Sequence, residues 1–145
     1  MLHSLDESIG FMTAQTHRAM IRLLTAHLKT YQITPEQWTV LKRLNKHGDL
    51  TQKELSQVAE KDKATLTRIL DILGRKKLIE RKQNNQDKRS FLVGLTQTGE
   101  QLYETVKPTI EKLFSETIAD GISEEELELF YDVLTRLREN SSRSY

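Results

Sequence analysis

The chain has 145 residues, a length that suits one domain or one compact core with added helices. Hydrophobic residues make up 37% of it and charged residues 30%, with a net charge of only +1; this is enough to fold, and no apolar stretch approaches the roughly 20 residues that a bilayer requires. There is no cysteine, which excludes disulfides, a thiolate nucleophile, a thiol redox switch and a cysteine-based zinc site.

Residues 1–7 have neither a basic nor an apolar signal region, so a cytoplasmic protein with no membrane partner is expected. From Leu5 to Tyr31, Leu5, Ile9, Met12, Met20, Leu23 and Leu28 recur at helical spacing. Thr34-Pro35-Glu36-Gln37 opens a second helix: Thr34 caps, Pro35 suits the first helical position, and Gln37 completes a capping box. Trp38, Val40, Leu41 and Leu44 form its apolar side, and Gly48 follows its end. Thr51-Gln52-Lys53-Glu54 is a second capping box, opening a short helix with Leu55, Val58 and Ala59.

After a break at Glu60-Lys61, Asp62 caps a helix with Leu66, Ile69, Leu70 and Leu73 on one face. Two short helices joined by a tight turn, the second with a basic and hydroxyl-bearing outer face, form a helix-turn-helix pattern. The period then changes. Residues 79–83 and 91–95 read as strands around the polar, turn-prone stretch 84–90, so a β-hairpin wing follows. Thr96 caps a long helix running to about Ile118, kinked at Pro108. Ser123-Glu124-Glu125-Glu126 is a third capping box, opening a last helix with Leu127, Phe130, Leu134 and Leu137, and the tail 141–145 frays.

Charge is unevenly placed along these elements. Residues 61–90 carry +6 and residues 100–139 carry −7, a basic block suited to a polyanion beside an acidic one that it would repel. The major groove of B-DNA admits one helix, held from behind and polar in front. Residues 62–76 meet that need, with Arg68, Thr65 and Lys63 as base readers and Thr67 next. Thr51 and Gln52 are candidate phosphate contacts through side chains and free backbone N–H groups. At the wing, Lys88 and Arg89 suit the narrow minor groove, while Asp87 pairs with Arg89 and sets the shape of the loop.

These residues carry a family resemblance. The run from Asp87 to Gly99 resembles the wing-to-helix signature D-x-R-x5-L-T-x-x-G of the multiple-antibiotic-resistance-regulator (MarR) family. Ala64-Thr65-Leu66-Thr67-Arg68-Ile69-Leu70 resembles its recognition helix, Leu78-Ile79-Glu80-Arg81 its first wing strand, and Thr34 to Leu41 its second helix. Two departures stand out: Lys77 replaces the glycine that often ends the recognition helix, and Ala64 replaces a common proline.

The resemblance implies a mostly α fold with a small β-hairpin wing, a winged helix-turn-helix flanked by dimerisation helices. As a single MarR-like domain over 1–145, the DNA-binding lobe would span about 32–96, and the dimerisation helices about 5–31 and 97–140. It implies a homodimeric repressor of double-stranded DNA whose recognition helices lie about 34 Å apart on a pseudo-palindromic site. A small anionic or phenolic effector is the partner that releases many members; its identity is not written in this sequence. No cofactor or metal is expected: His3, His17, His27 and His47 have no ligand spacing, Trp38 reads as buried core and His17 as a satisfied side chain. An enzyme is disfavoured, because no nucleophile elbow or phosphate loop is present. The rival is a winged-helix protein-interaction module; apolar residues on the outer face of the recognition helix would favour it, and Lys63, Thr67 and Arg68 stand there instead.

Overall fold

In a computed structural model, which describes residues 4–143, the chain forms two compact units, one reaching to Ile110 and one starting at Glu111. His3, Ser144 and Tyr145 lie outside the described residues.

The first unit begins with a π-helical stretch, Asp6–Phe11, that passes into helix α1, Met12–Leu28, and ends in a 3-10 turn, Lys29–Tyr31. The apolar repeat of this segment is only partly covered: Leu24 and Leu28 are buried, whereas Leu5, Ile9, Phe11 and Met12 are exposed. Helix α2, Pro35–His47, starts with the expected capping box. Thr34 Oγ1 accepts from the Gln37 N–H at 3.2 Å, and Gln37 Oε1 accepts from the Thr34 N–H at 3.2 Å. Its face Trp38, Val40, Leu41 and Leu44 is buried, with the Trp38 ring stacked on Tyr103 at 5.3 Å between centroids. His17 is exposed rather than satisfied by a core partner.

A two-residue strand β1, Leu50–Thr51, follows, which period-2 reading did not single out because two residues show no alternation. Helix α3, Gln52–Ala59, and helix α4, Lys63–Arg75, form the helix-turn-helix; Glu60 takes a left-handed conformation (φ 52°) in the turn. Leu66, Ile69, Leu70 and Leu73 of α4 are buried. Strands β2, Ile79–Gln83, and β3, Phe91–Leu95, have the bounds that the sequence suggests. They pair antiparallel with Ile79 opposite Leu95 and Gln83 opposite Phe91, and β1 adds to the other edge of β3, giving the order β1-β3-β2.

Recognition helix α4 does not fray at the missing glycine. Lys77 itself adopts the left-handed conformation at φ 61°, its N–H donating to the Gly74 carbonyl and the Leu78 N–H to the Leu73 carbonyl, each at 3.0 Å. This is the paired closure normally left to glycine, and a side chain there costs about 1 kcal/mol.

Helix α5, Gln97–Lys112, is joined to that closure by Thr96. Its Oγ1 donates to the Lys77 carbonyl at 2.6 Å and accepts from the Gly99 N–H at 3.0 Å, while its N–H donates to the Leu78 carbonyl at 3.1 Å. A Cβ on Gly99 would stand 2.0 Å from the Leu78 carbonyl oxygen, so only glycine lets α5 start this close. The Thr-x-x-Gly of the sequence motif therefore has a physical meaning: one residue caps α5 and ties it to the end of α4, the other makes room. The helix passes through Pro108 and ends at Lys112.

In the second unit a π-helical stretch, Leu113–Ile118, leads through Gly121 (φ 76°) to helix α6, Glu124–Ser141. The Ser123–Glu126 capping box is formed, with both bonds at 3.1 Å. No residue of α6 is buried.

Candidate nucleic-acid interface

The interface is assembled from three pieces of the first unit: the start of α3, the start and outer face of α4, and the loop between β2 and β3. At α3, Thr51 Oγ1 accepts from the Glu54 N–H and Glu54 Oε1 accepts from the Thr51 N–H, each at 3.1 Å. The pairing holds the Glu54 carboxyl below its ordinary range, through its bonds to Thr51. It also corrects one expectation. The Thr51 N–H is occupied, so the open backbone donors of this turn are those of Gln52 and Lys53.

The Gln52 side chain is committed as well. Its Nε2 donates to Thr67 Oγ1 at 2.8 Å, and that hydroxyl donates to the Lys63 carbonyl at 2.8 Å. Gln52 and Thr67 thus brace α3 against α4 across the helix-turn-helix. Asp62 caps α4, accepting from the Thr65 N–H at 2.7 Å, which draws its carboxyl below the ordinary aspartate range. Thr65 and Thr67 are half-buried, while Lys63 and Arg68 are exposed. Arg68 is not free: its Nη2 meets Glu36 Oε2 of α2 at 3.1 Å.

The wing loop is built from its own side chains. Asn84 Oδ1 accepts from the Gln86 N–H at 3.1 Å, and Asn84 Nδ2 donates to Ser90 Oγ at 3.0 Å. Asp87 Oδ1 accepts from both the Arg89 N–H at 3.0 Å and Arg89 Nε at 3.2 Å. The expected Asp87–Arg89 pairing is present, and it leaves the Arg89 side chain 91% exposed at the tip. Lower on the wing, Lys82 Nζ contacts Asp49 at 3.2 Å and Glu80 at 3.6 Å, and Asp49 chiefly raises its pKa. The Asp49 carboxylate fills the space that a side chain at Gly94 would need. Arg81 pairs with Asp71 of α4 at 3.4 Å.

Half of the basic block, Arg68, Lys76, Arg81, Lys82 and Arg89, is thus partnered within the chain. Lys61, Lys63, Arg75, Lys77 and Lys88 have no carboxylate partner among the described residues, and Lys63 and Lys88 are the two of them among the candidate contacts. An isolated exposed pair contributes little to stability, so these pairs chiefly decide which cations present bare charge.

Thr51, Gln52, Lys63 and Asp87 line one groove of about 810 Å³ between α3 and the wing. Lys53, Ser56, Gln57, Arg81, Ser90, Phe91 and Val93 share it, and none of them stood out in the sequence as a candidate contact. The outward run 52, 53, 56 and 57 of an amphipathic helix was the signal that could have found three of these seven, Lys53, Ser56 and Gln57. Arg68 leans toward α2 and is not among the groove residues, nor are Thr65, Thr67, Lys88 and Arg89. Among the described residues no helix is long and apolar enough to cross a membrane, and no group of three His, Asp or Glu side chains is placed to hold a metal.

Residues 33–91, from the start of α2 to the wing, match the model of the MarR family. The fold is similar to a cysteine-to-serine mutant of MarR from E. coli complexed with operator DNA, at 28% identity and a TM-score of 0.84, over 93% of this chain and 99% of that one. It is similar to S. aureus MepR in its DNA complex, at 28% identity and 0.83, over 91% and 97% of the two chains. A probable transcriptional regulator from Pseudomonas aeruginosa matches at 28% and 0.83, over 92% and 99%. With its winged helix-turn-helix, basic outer face and wing, this chain carries a MarR-family domain over residues 33–91 and is built like the DNA-binding transcription regulators of that family.

Proposed function

We propose that the protein is a repressor that grips a pseudo-palindromic operator as a homodimer. The observation that carries this reading is the bare first turn of α4: Asp62 pins the turn, Gln52 and Thr67 brace it, and Lys63, with no carboxylate partner among the described residues, lies beside the groove toward the wing. Lys63, Thr65, Thr67 and Arg68 would face base edges, with Arg suited to guanine O6 and N7 and threonine methyls to thymine. Thr51 and Gln52 would meet phosphates, and Lys88 and Arg89 the minor groove, with Asp87 holding Arg89 in place. The homodimer is supported by apolar side chains that the chain leaves uncovered: Ile9, Phe11 and Met12 before and in α1, and Leu127, Leu129 and Phe130 in α6. A two-fold pair of recognition helices would sit about one DNA turn apart, hence the inverted repeat. Repression, and release by a small anionic or phenolic effector, rest on the family resemblance.

Selection of binding sites from random duplex DNA, at two salt concentrations and with the Arg89→Ala variant, tests this. The expected result is a short inverted repeat whose affinity falls steeply with salt and falls again in the variant. A folded dimer that enriches no motif would overturn it.

A further inference from the structure

We infer that Glu36 is a positioning residue for base reading, holding the Arg68 guanidinium in the pose from which it contacts a base pair. The inference rests on the reading of Arg68 as a base reader and adds a role for a carboxylate on a helix outside the helix-turn-helix.

Glu36 is the second residue of α2 and has little freedom. Pro35 precedes it at the first helical position, and the Thr34–Gln37 capping box closes around it. The same turn is fastened a second time. Lys76, just past the end of α4, donates to the Gln37 amide oxygen at 3.4 Å and to the Gln32 carbonyl. The first turn of α2 is therefore anchored to α4 at two places eight residues apart, on the order of 12 Å along the helix axis. A carboxylate on so rigid a turn offers a fixed point.

Arg68 reaches that point with one nitrogen, Nη2, at 3.1 Å. Its Nη1, its Nε and the second Nη2 proton stay available, enough for the two parallel bonds that guanine accepts. The two side chains remain 59% and 46% exposed, so DNA can approach without breaking the pair. An unrestrained arginine would lose rotamer freedom on reading a base; one already held loses less. Yet Glu36 also places a negative charge near the phosphates. Its two effects have opposite signs: it repels every duplex, and it sharpens the choice among them.

This opposition separates positioning from mere charge. Asp71, paired with Arg81 from the same helix at 3.4 Å, supplies the control carboxylate, since its partner lies on the wing strand rather than on the reading turn. The experiment uses the full-length protein, its best selected duplex, every single-base-pair change in one half-site, and a random duplex. Arg68→Ala is expected to reduce discrimination at one position of each half-site about tenfold, as the loss of a bidentate contact predicts. Glu36→Gln is expected to reduce discrimination at that same position by about threefold or more, while affinity for random duplex rises about twofold. Asp71→Asn should raise affinity for both duplexes and leave the preference unchanged. If Arg68→Ala flattens the position and Glu36→Gln leaves it sharp, the positioning role is overturned and the reading of Arg68 stands. If Arg68→Ala leaves every position unchanged, the reading of Arg68 falls and this inference with it.

Discussion

Helices α4 and α6 carry similar apolar repeats and meet opposite fates. In α4, Leu66, Ile69, Leu70 and Leu73 are each at most 1% exposed. In α6 nothing is buried, and Leu129 and Phe130 are more than half exposed. An apolar stripe records a need for cover and is silent on what supplies it. For α4 the cover comes from the strands and helices of its own lobe. For α6 the proposed cover is a second copy.

The largest expected effect tests that contrast directly. Leu66→Ala should cost about 2–5 kcal/mol in urea unfolding, at any protein concentration. Phe130→Ala should change the unfolding of the separated subunit by no more than about 0.5 kcal/mol, yet shift the monomer–dimer balance seen by sedimentation. Equal, concentration-independent losses from both would dissolve the distinction.

The helix caps sharpen it at a smaller scale. Ser123 serves only its own capping box, whereas Thr96 also donates to the Lys77 carbonyl. Thr96→Val should therefore cost about 1–2 kcal/mol and Ser123→Ala about half as much, read as shifts in urea midpoint. Smaller still are the left-handed residues. Lys77→Gly should stabilise by about 0.5–1 kcal/mol, and Gly121→Ala should lose a similar amount, because the first relieves a strain that the second would create.

The smallest effect is one of pH. The bond from the Thr65 N–H draws the Asp62 carboxyl below its ordinary value, so the stability it contributes is fully present above about pH 4 and fades as pH falls through the lowered value. Asp62→Asn keeps a capping oxygen without that titration. The stability gap between wild type and variant should narrow on acidification from pH 6 to pH 3, and a constant gap would show that the cap bond does not depend on charge.

Much of the lobe was legible because its signals are local. Thr34, Thr51, Asp62 and Ser123 each cap a residue three positions on, a distance that sequence displays directly. The strand bounds followed from the change of period and the polar stretch between them. What escaped was tertiary. Strand β1 exists because Leu50 and Thr51 pair with Val93 and Leu92, far along the chain. Lys77 was visible as a departure from the family pattern, but whether it would fray the helix or take a glycine's conformation depends on the Leu78 and Thr96 bonds behind it. The binding of Arg68 to Glu36 and of Gln52 to Thr67 reaches across 32 and 15 residues, and no periodicity encodes either.

Thr96 has a mechanical consequence. Its hydroxyl and amide join three things, the end of α4, the root of the wing and the first turn of α5, and Gly99, lacking a side chain, lets them pack in direct contact. Bonded and packed in this way, these parts are joined into one block. A signal arriving along the first turns of α5 would turn recognition helix and wing together, as a crank turns its shaft, and the amides of Leu78 and Thr96 should exchange with solvent only when the whole block opens.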